Sequence, residues 1–122
     1  MITHGLLNLK SDLSTLISSN YTAIRFSHNS QTDTWDILKE SDLLSDDNVL
    51  LVYGYDDSDN NSINDRLRDK DDIGTSGCTG FWNREHVFPK SLASPVLTTD
   101  SPGTGTDLHN LRAADCQMNS TR

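Results

Sequence analysis

The stretch FWNREHVFPKS, residues 81 to 91, constrains the fold more than any other part of the chain. Alternation puts Phe81, Asn83, Glu85 and Val87 on one side and Trp82, Arg84, His86 and Phe88 on the other, the pattern of a strand over Phe81 to Val87. Pro89 has no N–H for a ladder and ends the pairing. Trp82 and Phe88 read as core residues. Yet the same strand carries an acid and an imidazole at adjacent positions, where burial without partners is costly. Packing alone does not account for that pair.

The C-terminal third of the chain has the order strand, loop, strand, helix. A loop rich in Ser, Pro, Thr and Gly runs from Ser94 to Gly105, Thr106 to Leu111 reads as a second strand, and Ala113 to Arg122 suits a helix. Ala113 and Ala114 would open that helix, with Asp115 in its first turn to suit the dipole. Upstream, Leu6, Leu9, Leu13, Leu16 and Ile17 fall three or four apart, so residues 5 to 19 predict an amphipathic helix. A second, short helix starts at Thr32 or Asp33, either of which can cap it, and carries Trp35 and Leu38 on one face. NVLLVYGY, residues 48 to 55, predicts one buried strand. Asp56 to Gly80 is polar throughout and reads as a long acidic loop. No internal repeat is visible.

The chain has 122 residues, enough for one domain with one modest core, and 34% hydrophobic content is too high for disorder throughout. Its net charge of −8 is uneven: residues 1 to 80 hold 14 Asp and Glu against 6 Lys and Arg, whereas residues 81 to 122 hold 4 against 4. An acidic whole argues against strong binding to a polyanion by counterion release, but leaves room for a local cationic groove. No run approaches the roughly 18 apolar residues of a membrane helix.

NREHVFPKSL followed by GTDLHNLRAADCQMNSTR resembles the bacterial endonuclease I family, extracellular or periplasmic nucleases. VYGYDDSDNNSINDRLRD and SGCTGFWNREHVF are similar to that family as well, so the likeness covers most of the chain. The resemblance implies an α+β fold whose catalytic part, residues 81 to 122, is a ββα-metal (His-Me) finger, preceded by N-terminal helices and one strand over residues 1 to 55 and the acidic loop over residues 56 to 80. It implies Glu85 and Asn119 as metal ligands, His86 as general base, and a secreted or periplasmic protein whose signal peptide is absent from the given chain. It implies hydrolysis of DNA, with RNA as a further substrate class, little sequence preference, and 5′-phosphate and 3′-hydroxyl ends. Ala113 departs from the proline that usually follows HNLR. The family also continues past the position of Arg122, and the helix there has no stop signal. The expectation is a fragment cut at both ends, lacking the C-terminal part of the domain.

The residues suit this chemistry on their own terms. Glu85 and Asn119 offer hard oxygens that fit one Mg²⁺ ion with water completing its shell, and Ca²⁺ or Mn²⁺ could substitute. Adjacent strand residues project to opposite faces, so a shared site for Glu85 and His86 predicts that the strand ends or bends near Glu85. A neutral His86 is a natural base for water near pH 7. Arg112 and Arg122 rank above Arg84 as phosphate contacts, because their positions bring them near Asn119. Asp107 and His109 read as bracing each other.

Cys78 and Cys116 admit two readings. A bridge would staple the helix to the strand pair, contribute roughly 3 to 4 kcal/mol in the loop-entropy account and imply an oxidising compartment; otherwise both are reduced core thiols. Two non-enzymatic alternatives stand beside the nuclease. One is a zinc-stabilised module built on Cys78, His86, His109 and Cys116, though no short ligand pair is present. The other is a calcium-binding module on DDSDNNSIND, where Ser62 replaces the turn glycine and Arg68 the terminal glutamate of an EF-hand.

Overall fold

The computed structural model describes residues 3–121, with side chains from residue 8 onward. Its core gathers around the fully buried Trp82, against which Leu38, Val49, Leu51, Leu111 and Ala113 pack, with Phe26, Trp35 and Ile73 at the margin. Trp35 meets Trp82 edge-on at 5.0 Å, and the indole N–H of Trp82 donates to the Lys70 carbonyl. The architecture is α+β, as expected from the sequence.

The first helix, α1, spans Thr3–Ser19, close to the predicted range. Its periodicity does not translate into burial: Leu9, Leu13, Leu16 and Ile17 are between 47% and 67% exposed. The predicted Leu6 lies outside the described side chains. Helix α2, Thr34–Ser41, begins where the sequence places it, because Asp33 accepts from Trp35 N and Asp36 N while the Asp36 carboxylate accepts from Asp33 N. That reciprocal cap satisfies N–H groups no helical turn can reach. The helix buries Leu38 and turns Trp35 toward the core.

A three-stranded antiparallel sheet comes next, in the order β1 (Leu43–Ser45), β2 (Asn48–Leu50), β3 (Leu67–Asp69). The expected strand over residues 48 to 55 is thus shorter, ending at Leu50; Leu51 N instead bonds the Arg66 carbonyl and Val52 N the Ala113 carbonyl. Residues 56 to 80 are not loop throughout either. A 3-10 turn at Ser62–Asn64 precedes β3, which pairs with β2 at Val49↔Arg68.

The second sheet is β4 (Trp82–His86) against β5 (Leu111–Asp115), antiparallel, followed by α3 (Cys116–Thr121). Here the predicted second strand over residues 106 to 111 gives way to two 3-10 turns, Thr104–Thr106 and Leu108–Asn110. Their cause is local: Asp107 accepts from His109 N, and Thr106 Oγ1 exchanges hydrogen bonds with Gly103. Ala113 and Ala114 do not open the helix. They are buried in β5 opposite Arg84 and Asn83, and Asp115 caps α3 by accepting from Met118 N. The Ala113 N–H donates to Asp42 Oδ2 at 2.8 Å, a bond proline could not make. Phe88, expected in the core, is 50% exposed, because β4 ends at His86 and the chain bends at residues 87 and 88. Cys78 and Cys116 form a disulfide with Cα atoms 4.9 Å apart, tying the segment before β4 to the start of α3.

Candidate active site

β4 pairs with β5 along one edge, and its other edge borders a cleft. The register decides which groups face it. Arg84 lies opposite Ala113 at a non-hydrogen-bonded position of the ladder: the Ala113 backbone groups bond outward to Asp42 and Val52, and the Arg84 carbonyl likewise faces away from β5. Asn119, on α3, meets it: its Nδ2 donates to Asn83 Oδ1 at 2.6 Å and to Arg84 O at 3.5 Å. The cleft, about 510 Å³, is lined by Phe26, Arg84, Glu85, His86, Lys90 and Asn119, with Pro89 at its rim. Glu85 and His86 both reach it, and β4 ends at His86, one residue past Glu85, with a bend over residues 87 and 88, close to where the sequence places the strand's end or bend. An open strand edge lets residues of both faces border the same volume.

His86 is 9% exposed, and its Nε2 lies 2.7 Å from the Gly105 carbonyl. A carbonyl can only accept, so Nε2 carries the proton and, in the neutral ring, Nδ1 carries the lone pair. Phe26 stacks on the imidazole at 5.8 Å between centroids. Burial lowers the His86 pKa below 6.5, and the charges of Lys90 and Arg84 act the same way against the Gly105 bond and Glu85.

Glu85, 8% exposed, accepts a hydrogen bond from Tyr53 Oη at 2.9 Å. Arg84 is held fast. Its guanidinium lies 3.5 Å from the centre of the Phe26 ring and 4.0 Å from that of Trp35, and it donates to the Phe26 carbonyl, Thr34 Oγ1 and Ser27 Oγ. Burial lowers its pKa to about 10, so it stays charged at neutral pH. Lys90 is the exposed cation of the cleft. Its place is set by Asn110, which clamps both backbone groups of Phe88: Phe88 N donates to Asn110 Oδ1 at 2.7 Å and Asn110 Nδ2 to Phe88 O at 3.1 Å.

Glu85, His86 and Asn119 are therefore brought together, while Arg112 is not. Its Nη1 donates to the carbonyls of Leu108 and Leu111, and its side chain lines a separate depression with Asp42, Leu44, Leu50 and Gly54. Arg84 lines the cleft and Arg112 does not, because nearness along the chain, the ground for ranking Arg112 above Arg84, does not fix which way a strand residue faces. Arg122 lies outside the described residues. Tyr53, Lys90 and Gly105 escaped sequence reasoning. Lys90 alone had a local signal, its place just after the REH block.

The donors in the cleft fit a hydrated magnesium-type cation. Glu85 offers carboxylate oxygen, and with its Nδ2 donated to two acceptors Asn119 has Oδ1 available as oxygen ligand. No group of three or more His, Cys, Asp and Glu side chains suited to a metal occurs among the described residues. The disulfide removes both cysteines from the zinc alternative. In the calcium alternative, Asp57 is taken by Arg66 and by two backbone N–H groups, and Asp59 by Asn61 N and Asn64 Nδ2.

Two curated relatives align with nearly the whole chain. An extracellular ribonuclease of Bacillus subtilis (strain 168) is 37% identical over 117 residues, covering 94% of this chain and 33% of that protein. An extracellular ribonuclease of Bacillus amyloliquefaciens is 36% identical over 116 residues, covering 93% and 33%. The chain thus spans about a third of the length of the curated relatives it matches. No solved structure matches it. The family described as Endonuclease I matches residues 6–122, a range that includes β4, β5 and α3 with every residue of the cleft, and the chain belongs to that family.

Proposed function

We propose that this protein is a metal-dependent endonuclease that hydrolyses phosphodiester bonds of RNA and DNA, with β4, β5 and α3 serving as a ββα-metal finger. The observation that carries the reading is the convergence of Glu85, His86 and Asn119 on one cleft, with the His86 tautomer fixed by Gly105. His86 takes the proton of the attacking water through Nδ1, and its lowered pKa keeps the base form populated at neutral pH. Glu85 and Asn119 hold the cation, Mg²⁺ by preference with Mn²⁺ or Ca²⁺ as substitutes. When bound, that ion neutralises charge on the phosphoryl and leaving 3′ oxygens. Tyr53 orients the Glu85 carboxylate. Lys90 meets the substrate phosphate in the role expected of Arg112, while Arg84 shapes the wall from its fixed position.

The names of the two relatives support RNA as a substrate and secretion as the destination. The disulfide favours an oxidising compartment. Contacts to phosphates carry no sequence information, which suits broad specificity, and the family resemblance implies 5′-phosphate and 3′-hydroxyl products. Supercoiled plasmid and a folded RNA, each incubated with the chain and Mg²⁺, test the reading. Both should be cut, EDTA should stop cutting, and His86→Ala should slow it by about 10²- to 10⁴-fold while circular dichroism stays that of the parent. A His86→Ala variant as fast as the parent would show that another group is the base.

A further inference from the structure

We infer that Asn83 is a positioning residue for the cation site: its side-chain carbonyl fixes the Asn119 amide so that Oδ1, and not Nδ2, serves the ion. This rests on the reading of Asn119 as a ligand. A primary amide has two ends of nearly equal shape and opposite electrostatic character, and a flip would aim an N–H₂ group at a cation. Two acceptors oppose that flip. Asn119 Nδ2 donates to Asn83 Oδ1 at 2.6 Å and to the Arg84 carbonyl at 3.5 Å, and a backbone carbonyl cannot act as donor.

Asn83 could itself flip, but its Nδ2 lies 3.4 Å from Cys116 Sγ. That sulfur belongs to the disulfide with Cys78 and has no proton to give. The chain of constraint therefore runs from the bridge through Asn83 to Asn119, with each amide oriented by an atom that only accepts. Loss of a partner of this kind typically costs about 10- to 100-fold in metal affinity.

Direct Mn²⁺ binding, read from the electron paramagnetic resonance of the free ion with the full chain, tests the inference without any activity measurement. Asn83→Leu, which cannot accept, should weaken Mn²⁺ binding about tenfold or more. Asn83→Asp, which still accepts from Asn119 Nδ2, should stay close to the parent. If the leucine variant does not fold, Asn83→Ser, too short to reach the amide, should show the same weakening. Binding by the leucine or serine variant equal to the parent, or an equal fall in the aspartate variant, overturns the role of Asn83. The Asn119→Ala variant separates the two layers of the account: unchanged Mn²⁺ binding there removes Asn119 as a ligand, and the role of Asn83 with it.

Discussion

Between residues 56 and 65 the aspartates are consumed by their own surroundings, whereas in the cleft along β4 a single glutamate borders open volume beside an imidazole and an amide. Asp56 accepts from Ser58 N and Oγ, Asp57 from the Arg66 guanidinium and two backbone N–H groups, Asp59 from Asn61 N and Asn64 Nδ2, and Asp65 pairs with Arg68 at 3.7 Å. Those carboxylates hold a loop in shape. In the cleft the polar groups of Glu85, His86 and Asn119 come from two different elements and line one space. Density of acidic residues along the chain therefore does not locate the chemistry; what distinguishes the cleft is that an acid, an imidazole and an amide from two elements line one space.

The contrast can be broken most sharply by removing one residue from each region. His86→Ala should lower the cleavage rate by about 10²- to 10⁴-fold, the usual worth of a general base. Asp57→Ala should leave the rate and its Mg²⁺ dependence as in the parent, even though the Arg66 contacts are lost. A comparable loss of rate in both variants would erase the distinction.

The link between the disulfide and the cleft is the next test. Cys78→Ser opens a bridge that spans 38 residues and should cost about 3 to 4 kcal/mol in a denaturant titration. A change of only a few tenths of a kcal/mol would mean that α3 is held to β4 by other contacts.

A smaller effect is expected in the pH profile. Because the His86 pKa lies below 6.5, its base form survives into mildly acid solution and is lost only as pH falls through that lowered value. The acid limb of cleavage should therefore bend below pH 6.5, the ordinary histidine value. A midpoint above it would mean that the charge of Glu85 outweighs burial at the ring.

Much of this was legible in the sequence where the cause is local. Asp33 caps α2 with its own side chain, and alternation from Trp82 to His86 marks β4. The motif blocks pointed to Glu85, His86 and Asn119, which the fold gathers at one cleft. What was not legible depends on partners distant in the chain. Ala113 and Ala114 favour a helix by propensity, but pairing with Arg84 and Asn83 and burial in the core override it. The strand β3 exists because Arg68 pairs with Val49 and reaches Asp115, a buried acid on β5. Lys90 owes its place in the cleft to the Asn110 clamp on Phe88, 22 residues away. In α1, periodicity correctly predicted a helix and incorrectly predicted burial. Leu13→Ser there should change stability by no more than about 0.5 kcal/mol, the smallest effect of the series, since that side chain is already half exposed.

The central claim is that Glu85 and Asn119 grip one cation next to His86. Crystals grown with Mn²⁺ and measured for anomalous scattering test it most directly. The account predicts one strong peak within coordination distance of a Glu85 carboxylate oxygen and Asn119 Oδ1, on the side of β4 that the His86 ring borders. A peak among Asp56, Asp57 and Asp59, with none between Glu85 and Asn119, would contradict it.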